Sequence, residues 1–315
     1  MIVRGKHRWW HFFTHPGAVL VAPAFILYTA FFVYPAAMAF YVSLTRWSGF
    51  SPVRTFIGLD NFRELYHESL YWRAVSNNFI FMFGAGAAIF FFALLFAAAL
   101  SNRNFPGRRF FKTMLFAPYV VSIVAIAVLW TFVYDPNWGL LNSMLSFFAR
   151  FLVRLGLLSP DRAQVGVLWL GSWGMAMPSL SAVMVWAGIG FYVILLMAGI
   201  DRIPDDLYEA ARIDGANEKQ SFFHITLPLL RDVLVIAISI HIIGALKQFG
   251  LIWAMTRGTN YTHTMETYMY DVAFEPRTMS FRMGYGTAMT VVLFFMVILL
   301  TFTFNIIMRK AEVEY

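Results

Sequence analysis

Cysteine is absent from the 315 residues, which removes disulfides, thiolate metal sites and thiol nucleophiles together. Charge is nearly as scarce. Asp, Glu, Lys and Arg make up 13% of the chain, about half the share of an ordinary soluble domain. No Asp or Glu lies within any of the six longest apolar stretches, so the intramembrane carboxylate of a secondary transporter's ion site is missing. A clustered acid, base or metal set for a membrane-embedded enzyme is missing too. No H-E-x-x-H occurs, the seven His are scattered, and none of the five Lys follows the glycines of a G-x-x-x-x-G-K-S/T phosphate loop. The chain therefore carries no recognisable catalytic or metal site and no ATPase of its own. Gly84 and Gly86 are spaced G-x-G without a third glycine, inside an apolar run, and read as helix-packing residues.

What is present is apolar surface. Hydrophobic residues reach 60%, with 34 Phe and 10 Trp, more than a water-surrounded core can hide. A hydrocarbon layer about 30 Å thick takes about 20 apolar residues as a helix. Six such spans emerge, at residues 18–44, 76–100, 113–134, 178–200, 233–256 and 284–308, and only the fifth holds a formal charge, Lys247. Uninterrupted apolar runs exclude a barrel's alternation, so the expected fold is all-α: a polytopic membrane bundle of six transmembrane helices. The organisation expected is a cytoplasmic N-terminal segment 1–17, a six-helix membrane domain 18–308 with a cytoplasmic loop at 201–232, and a cytoplasmic tail 309–315. Arg4, Lys6 and Arg8 precede a first run too long for a signal-peptide core, so it reads as a retained span.

The net charge of +7 comes from short Lys and Arg clusters beside the apolar runs, the pattern of a topology signal rather than of nucleic-acid binding. The side holding the termini, loop 101–112 and loop 201–232 carries 13 Lys and Arg, against 10 on the longer opposite loops. Loop 101–112 is the sharpest case, with Arg103, Arg108, Arg109, Lys112 and no acid. Both termini are expected in the cytoplasm. On the other side, Asn142 to Leu158 places Leu145, Phe148, Leu152 and Leu155 at helical spacing, with Arg150 and Arg154 elsewhere on the surface. That predicts an interfacial helix, either a cap over the bundle or a platform for an external partner.

Loop 201–232 is the one cytoplasmic segment long enough to fold. Pro204 suits a first helical position, Asp205 and Asp206 a first turn, and Gly215 a left-handed helix end. The first helix is expected over Pro204 to Ile213. Asn217 and Gln220 form a capping-box pair, and Phe222, Phe223, Ile225 and Leu227 give an apolar surface before Pro228. Eleven charged residues beside Tyr208, Phe222 and Phe223 suggest apolar anchors within a polar rim, a docking surface; a solvated connecting hairpin is the plainer reading. In the fifth span His241, Gly244 and Gln248 share one face at i, i+3 and i+7, with Lys247 about 100° round. A charged Lys there costs about 2.5–3.5 kcal/mol facing lipid. This face is a candidate lining of a translocation path, or a structural contact with a second subunit.

The string EAARIDGANEKQSFFHITLPLL resembles the EAA loop of permease subunits of binding-protein-dependent ABC importers. Glu209, Ala210, Ala211, Asp214, Gly215, Ala216, Ile225, Leu227, Pro228 and Leu229 match that pattern position by position. The segments APAFILYTAFFVYPAAMAFYVSLTRWSGF, IGLDNFREL, NFPGRRFFKTMLFAP, DPNWGLLNSML and WAMTRG extend the likeness to the carbohydrate-importer branch and its maltose-permease-like half, over roughly residues 17–308. The resemblance implies the type I importer permease fold in a cell (inner) membrane. It implies a second EAA-type permease as heterodimer partner, two ATPase subunits that use ATP and Mg, and an extracytoplasmic solute-binding protein. The chain itself would bind no cofactor. The coupling residues implied are Tyr208, Glu209, Ala210, Ala211, Asp214, Gly215, Ala216, Leu227 and Pro228. The solute implied is a sugar or oligosaccharide, with glycerol phosphate, a polyol or an anionic saccharide as the alternative. Some members carry extra N-terminal spans and a large external insertion that are not found here.

Overall fold

The computed structural model describes residues 16–101, 105–274 and 281–309. Arg4, Lys6, Arg8, Arg103 and Lys310 lie outside them. Helix dominates, as the apolar runs require, since only a helix satisfies its own backbone in lipid. Among the described residues four helices are long and apolar enough to cross a membrane: Leu20–Ser43, Ser69–Ser101, Trp173–Ile200 and Met283–Met308. Two bent pairs bring the total to as many as six: Arg108–Val120 with Ile123–Val133, bent by 99°, and Glu218–Leu229 with Arg231–Leu246, bent by 68°.

The spans depart from expectation where a polar residue or proline changes the backbone. The second starts at Ser69 rather than Ser76, taking Arg73 into the helix, where its guanidinium lies over the Trp173 and Tyr261 rings. The third bends at an extended Val121, just beyond Pro118, which cannot donate to the turn before it. The fifth ends at Leu246 instead of running to Thr256; a short helix, Gly250–Met255, follows after a three-residue break.

The described residues fall into two compact units, one within Met1–Tyr66 and Val272–Val292, the other within His67–Asp271 and Leu293–Tyr315. In the first, a two-residue antiparallel ladder pairs Thr45 with Phe56 and Arg46 with Thr55. Buried Asn61 donates to the carbonyls of Ser43 and Thr45, and Gly284 donates its N–H to Trp47. A side chain at Gly284 would run into the Thr45 carbonyl. Arg282 grips the Glu64 carboxylate with both terminal nitrogens, which holds that carboxyl below its ordinary range.

The second unit is built around helix Trp173–Ile200. Its Ile189, Val193, Leu196 and Met197 pack on Ile89, Ala93, Ala97 and Leu100 of the second span, where the small alanines let the helices approach. Gly190 sits against the third span so closely that an added Cβ would stand 2.0 Å from the Leu115 carbonyl oxygen. Gly86 fills the expected packing role, since a Cβ there would meet the His241 ring at 2.6 Å. Gly84 does not: it is exposed and faces only a side chain of its own helix. The outer helix runs over Leu140–Arg154, and its inward face is the small, polar one, Asn142, Ser146 and Ala149. A cap would bury the apolar face, yet Leu145, Phe148, Leu152 and Leu155 all point outward.

Two substitutions test this packing. Gly190→Ala should destabilise the purified protein by about 1–3 kcal/mol, the usual cost of overpacking, seen as a lower Tm in detergent. Asn78→Ala removes a buried three-bond anchor described below and should cost about 1–3 kcal/mol per group left unsatisfied. Asn78→Asp should be worse, because a carboxylate cannot donate to the two carbonyls that Asn78 holds.

Candidate coupling surface and the break in the fifth span

Three arginine contacts root the hairpin at 201–232. Arg108 donates to the carbonyl of Leu100, at the end of the second span, and pairs with Asp201, at the end of the fourth. Arg231, at the hairpin's exit, donates to the Met308 carbonyl at the end of the last helix. A cation at a helix C-terminus both satisfies an orphan carbonyl and meets the negative end of the helix dipole. The basic loop, the hairpin and the last helix's end thus lie at one end of the bundle.

The first arm is helix Asp205–Ile213, with Pro204 as its cap rather than its first residue. A side-chain-free left-handed turn ends it: Gly215 has φ +82°, its N–H reaches Arg212, and the Ala216 N–H reaches Ala211 at 2.8 Å. Asn217 and Gln220 then form the reciprocal capping box, at 2.9 and 2.8 Å. Between the arms, the hydroxyls of Tyr208 and Thr226 meet at 2.9 Å. Ala211, Asp214, Gly215, Ala216, Gln220 and His224 line a notch of about 290 Å³.

Of the residues expected to couple, Ala211, Asp214, Gly215 and Ala216 come together in that notch. Glu209, Ala210 and Pro228 are exposed outside it, and Leu227 is half-buried. Tyr208 and Phe222 are half-buried, and the most exposed apolar side chains of the hairpin are Phe223 and Ile213, the latter 87% exposed. Ile213 carries no signal in the sequence beyond its place at the helix end.

The fifth-span face does not survive as one face. His241 is buried against Phe90 and Tyr192, with Nε2 3.0 Å from the Met82 carbonyl. A carbonyl only accepts, so Nε2 carries the proton. Met82 lies in a π-helical turn, Ile80–Ala85, where the regular backbone ladder is interrupted. Gly244 and Lys247 are exposed, and Gln248 is half-buried. Because the helix stops at Leu246, Lys247 and Gln248 no longer follow His241 at helical angles.

Side chains take over the backbone bonds at this break. Asn78 donates to the carbonyls of Ala245 and Leu246 at 2.8 and 3.0 Å and accepts the Met265 N–H at 2.9 Å. Thr264 donates to the Gln248 carbonyl at 2.6 Å. Neighbouring Asn77 holds the carbonyls of Tyr261 and His263 while accepting from the Trp173 indole. That fixes a turn in which Arg257, Asn260 and Tyr261 all adopt positive φ, between 51° and 60°. Nearby, burial pushes the Glu266 carboxyl up, and the Lys247 ammonium opposes that rise. Sequence reasoning misses Asn77, Asn78, Thr264 and Glu266; a paired Asn in an apolar run is a signal for the first two alone. Among the described residues no cluster of His, Asp and Glu could hold a metal ion.

Residues 89–312 match the family described as the inner membrane component of binding-protein-dependent transport systems. The chain is 34% identical to the probable ABC transporter permease protein YurN of Bacillus subtilis, over 93% of this chain and 94% of that one. It is 34% identical to the diacetylchitobiose uptake system permease protein NgcF of Streptomyces coelicolor, over 85% of this chain and 74% of that one. A bacterial ABC transporter that imports the acidic polysaccharide alginate has the same fold, with a TM-score of 0.77, 22% identity, and coverage of 98% and 100%. The match over residues 89–312 and the two relatives at 34% identity show that this chain belongs to the binding-protein-dependent transport system inner membrane component family, a permease of the ABC importer type.

Proposed function

We propose that the chain forms half of the membrane pathway of an ATP-driven importer for a sugar or oligosaccharide, and that hairpin Asp205–Ser221 is the part its ATPases grip. The observation that carries this reading is the notch at Gly215, a concave, small-residue surface between two capped helices with apolar Ile213 and Phe223 exposed beside it. A concave seat with apolar anchors and a charged rim is what a transient protein contact needs. With no phosphate-binding loop in the sequence, energy is supplied by partner ATPases that use ATP and Mg. The remaining partners are a second, similar permease and an external solute-binding protein, and the chain binds no cofactor. The side holding the hairpin is the cytoplasmic one, with both termini, in keeping with its excess of Lys and Arg.

The relative from Streptomyces coelicolor, named for diacetylchitobiose uptake, supports a saccharide as solute. The path is read as passing the break at residues 247–249, where Lys247 is exposed at the end of the helix. Glu266 lies in the field of Lys247 at this place. His241 and Gly244 support the same helix from its packed and exposed sides.

The test is copurification with candidate ATPases, followed by a saccharide screen for stimulated ATP hydrolysis in lipid. A chain that moved saccharide alone, with no ATPase attached, would refute the reading. Gly215→Val should weaken ATPase attachment, because the left-handed backbone costs an ordinary residue about 1–2 kcal/mol, while Gly215→Asn should be milder. Lys247→Ala should lower saccharide-stimulated hydrolysis by about tenfold, equivalent to ~1.4 kcal/mol. Unchanged uptake and hydrolysis would take Lys247 out of the path.

A further inference from the structure

Helix Leu140–Arg154 lies between the third and fourth spans, one membrane crossing away from the hairpin and so at the opposite face of the bilayer. At 100° per residue its surface divides into three sectors. The inward sector is small and polar. Asn142 donates to the carbonyls of Pro136 and Val167, and Ser146 bonds Val165. With Ala149 these groups seat the helix on its own loop, so its polarity there is already spent. A second sector, about 160° wide, holds Met144, Leu145, Phe147, Phe148, Phe151, Leu152 and Leu155, every one exposed, at 38–63%. The third is a narrow strip of Ser143, Arg150 and Arg154, with no carboxylate between Asp135 and Asp161.

Water does not accommodate an aromatic arc of that width, and a folded protein rarely leaves one uncovered. Two observations select its occupant. The helix follows directly on a membrane span, with exposed Trp138 against Phe132 at the junction, an indole at the place where membrane proteins put them. The arc is flanked on one side by Arg alone, which matches the anionic phosphates of a lipid surface better than a protein rim of both signs.

We propose that Leu140–Arg154 lies in the plane of the leaflet opposite the hairpin, with its aromatic arc sunk into the acyl region and Arg150 and Arg154 bound to lipid phosphodiesters. The helix is then a lateral anchor. It fixes the depth of the outer ends of the third and fourth spans, the helices that pack on one another through Gly190.

The absence of cysteine makes this testable by single-site labelling. Ser143→Cys, Met144→Cys, Phe148→Cys, Arg150→Cys and Phe151→Cys would each carry a nitroxide, in the permease complex in phosphatidylethanolamine and phosphatidylglycerol nanodiscs, with the unsubstituted complex as blank. Collision with oxygen and with a water-soluble nickel chelate reads the depth of each site. The expected result is a helical period: sites 144, 148 and 151 about 5–10 Å below the phosphates, sites 143 and 150 at or above them. Equal access to nickel at all five sites would overturn the proposal. So would shielding of sites 144 and 148 from both reagents, with or without the solute-binding protein, because that pattern means a protein covers the arc. The readout is independent of transport, so its failure leaves the importer reading standing.

Discussion

A helix in hydrocarbon has no water to take up the carbonyls it leaves unpaired at an end or a break, and the polar side chains of this bundle sit where that debt falls due. Asn78 covers two carbonyls at the end of the fifth span, and Thr264 covers the one at Gln248. His241 meets the Met82 carbonyl in the π-turn of the second span. Arg108 and Arg231 do the same for the ends of the second and last helices. Each of these side chains is a donor, and each acceptor is a backbone oxygen. The few polar groups that a membrane chain admits are thus located by backbone geometry first, and any contact with a solute is built on those places.

The same rule separates the two ends of the bundle. At the hairpin end the donors are half-buried arginines, and they tie loop to loop through Asp201 and the Met308 carbonyl. At the other end the donors are neutral amides and hydroxyls, buried and shared within a turn that holds three ordinary residues at positive φ. Such a turn carries conformational cost and persists only where surroundings over-determine it. Asn77, which holds two of its carbonyls, supplies that determination.

How much of this was legible from residues alone follows from the range of the forces. Span number and the capped hairpin rest on local rules: apolar length, proline, a left-handed glycine, an Asn and a Gln three apart. These carry from sequence to structure within a few residues. The break after Leu246 does not, because its cause is Asn78, 168 positions away from the carbonyl it holds. Apolar continuity to Thr256 argued for an unbroken helix, and the helical alignment of His241 with Gln248 went with that argument. The orientation of Leu140–Arg154 was hidden for a related reason. A periodic apolar stripe says which residues share a face and leaves open whether that face meets protein or lipid.

That ambiguity is resolved by asking what each face has left to satisfy. On Trp173–Ile200 the apolar side chains are buried by neighbouring helices, so protein already fills the stripe. On Leu140–Arg154 the inward contacts are hydrogen bonds from Asn142 and Ser146, short side chains that bring the helix close to its own loop. A helix seated by its polar side needs a second apolar phase for the other, and in a protein of this class the nearest such phase is the bilayer. The inward-polar, outward-apolar order is the reverse of a soluble domain's, and it is the order expected wherever the surrounding solvent is less polar than the protein's own backbone.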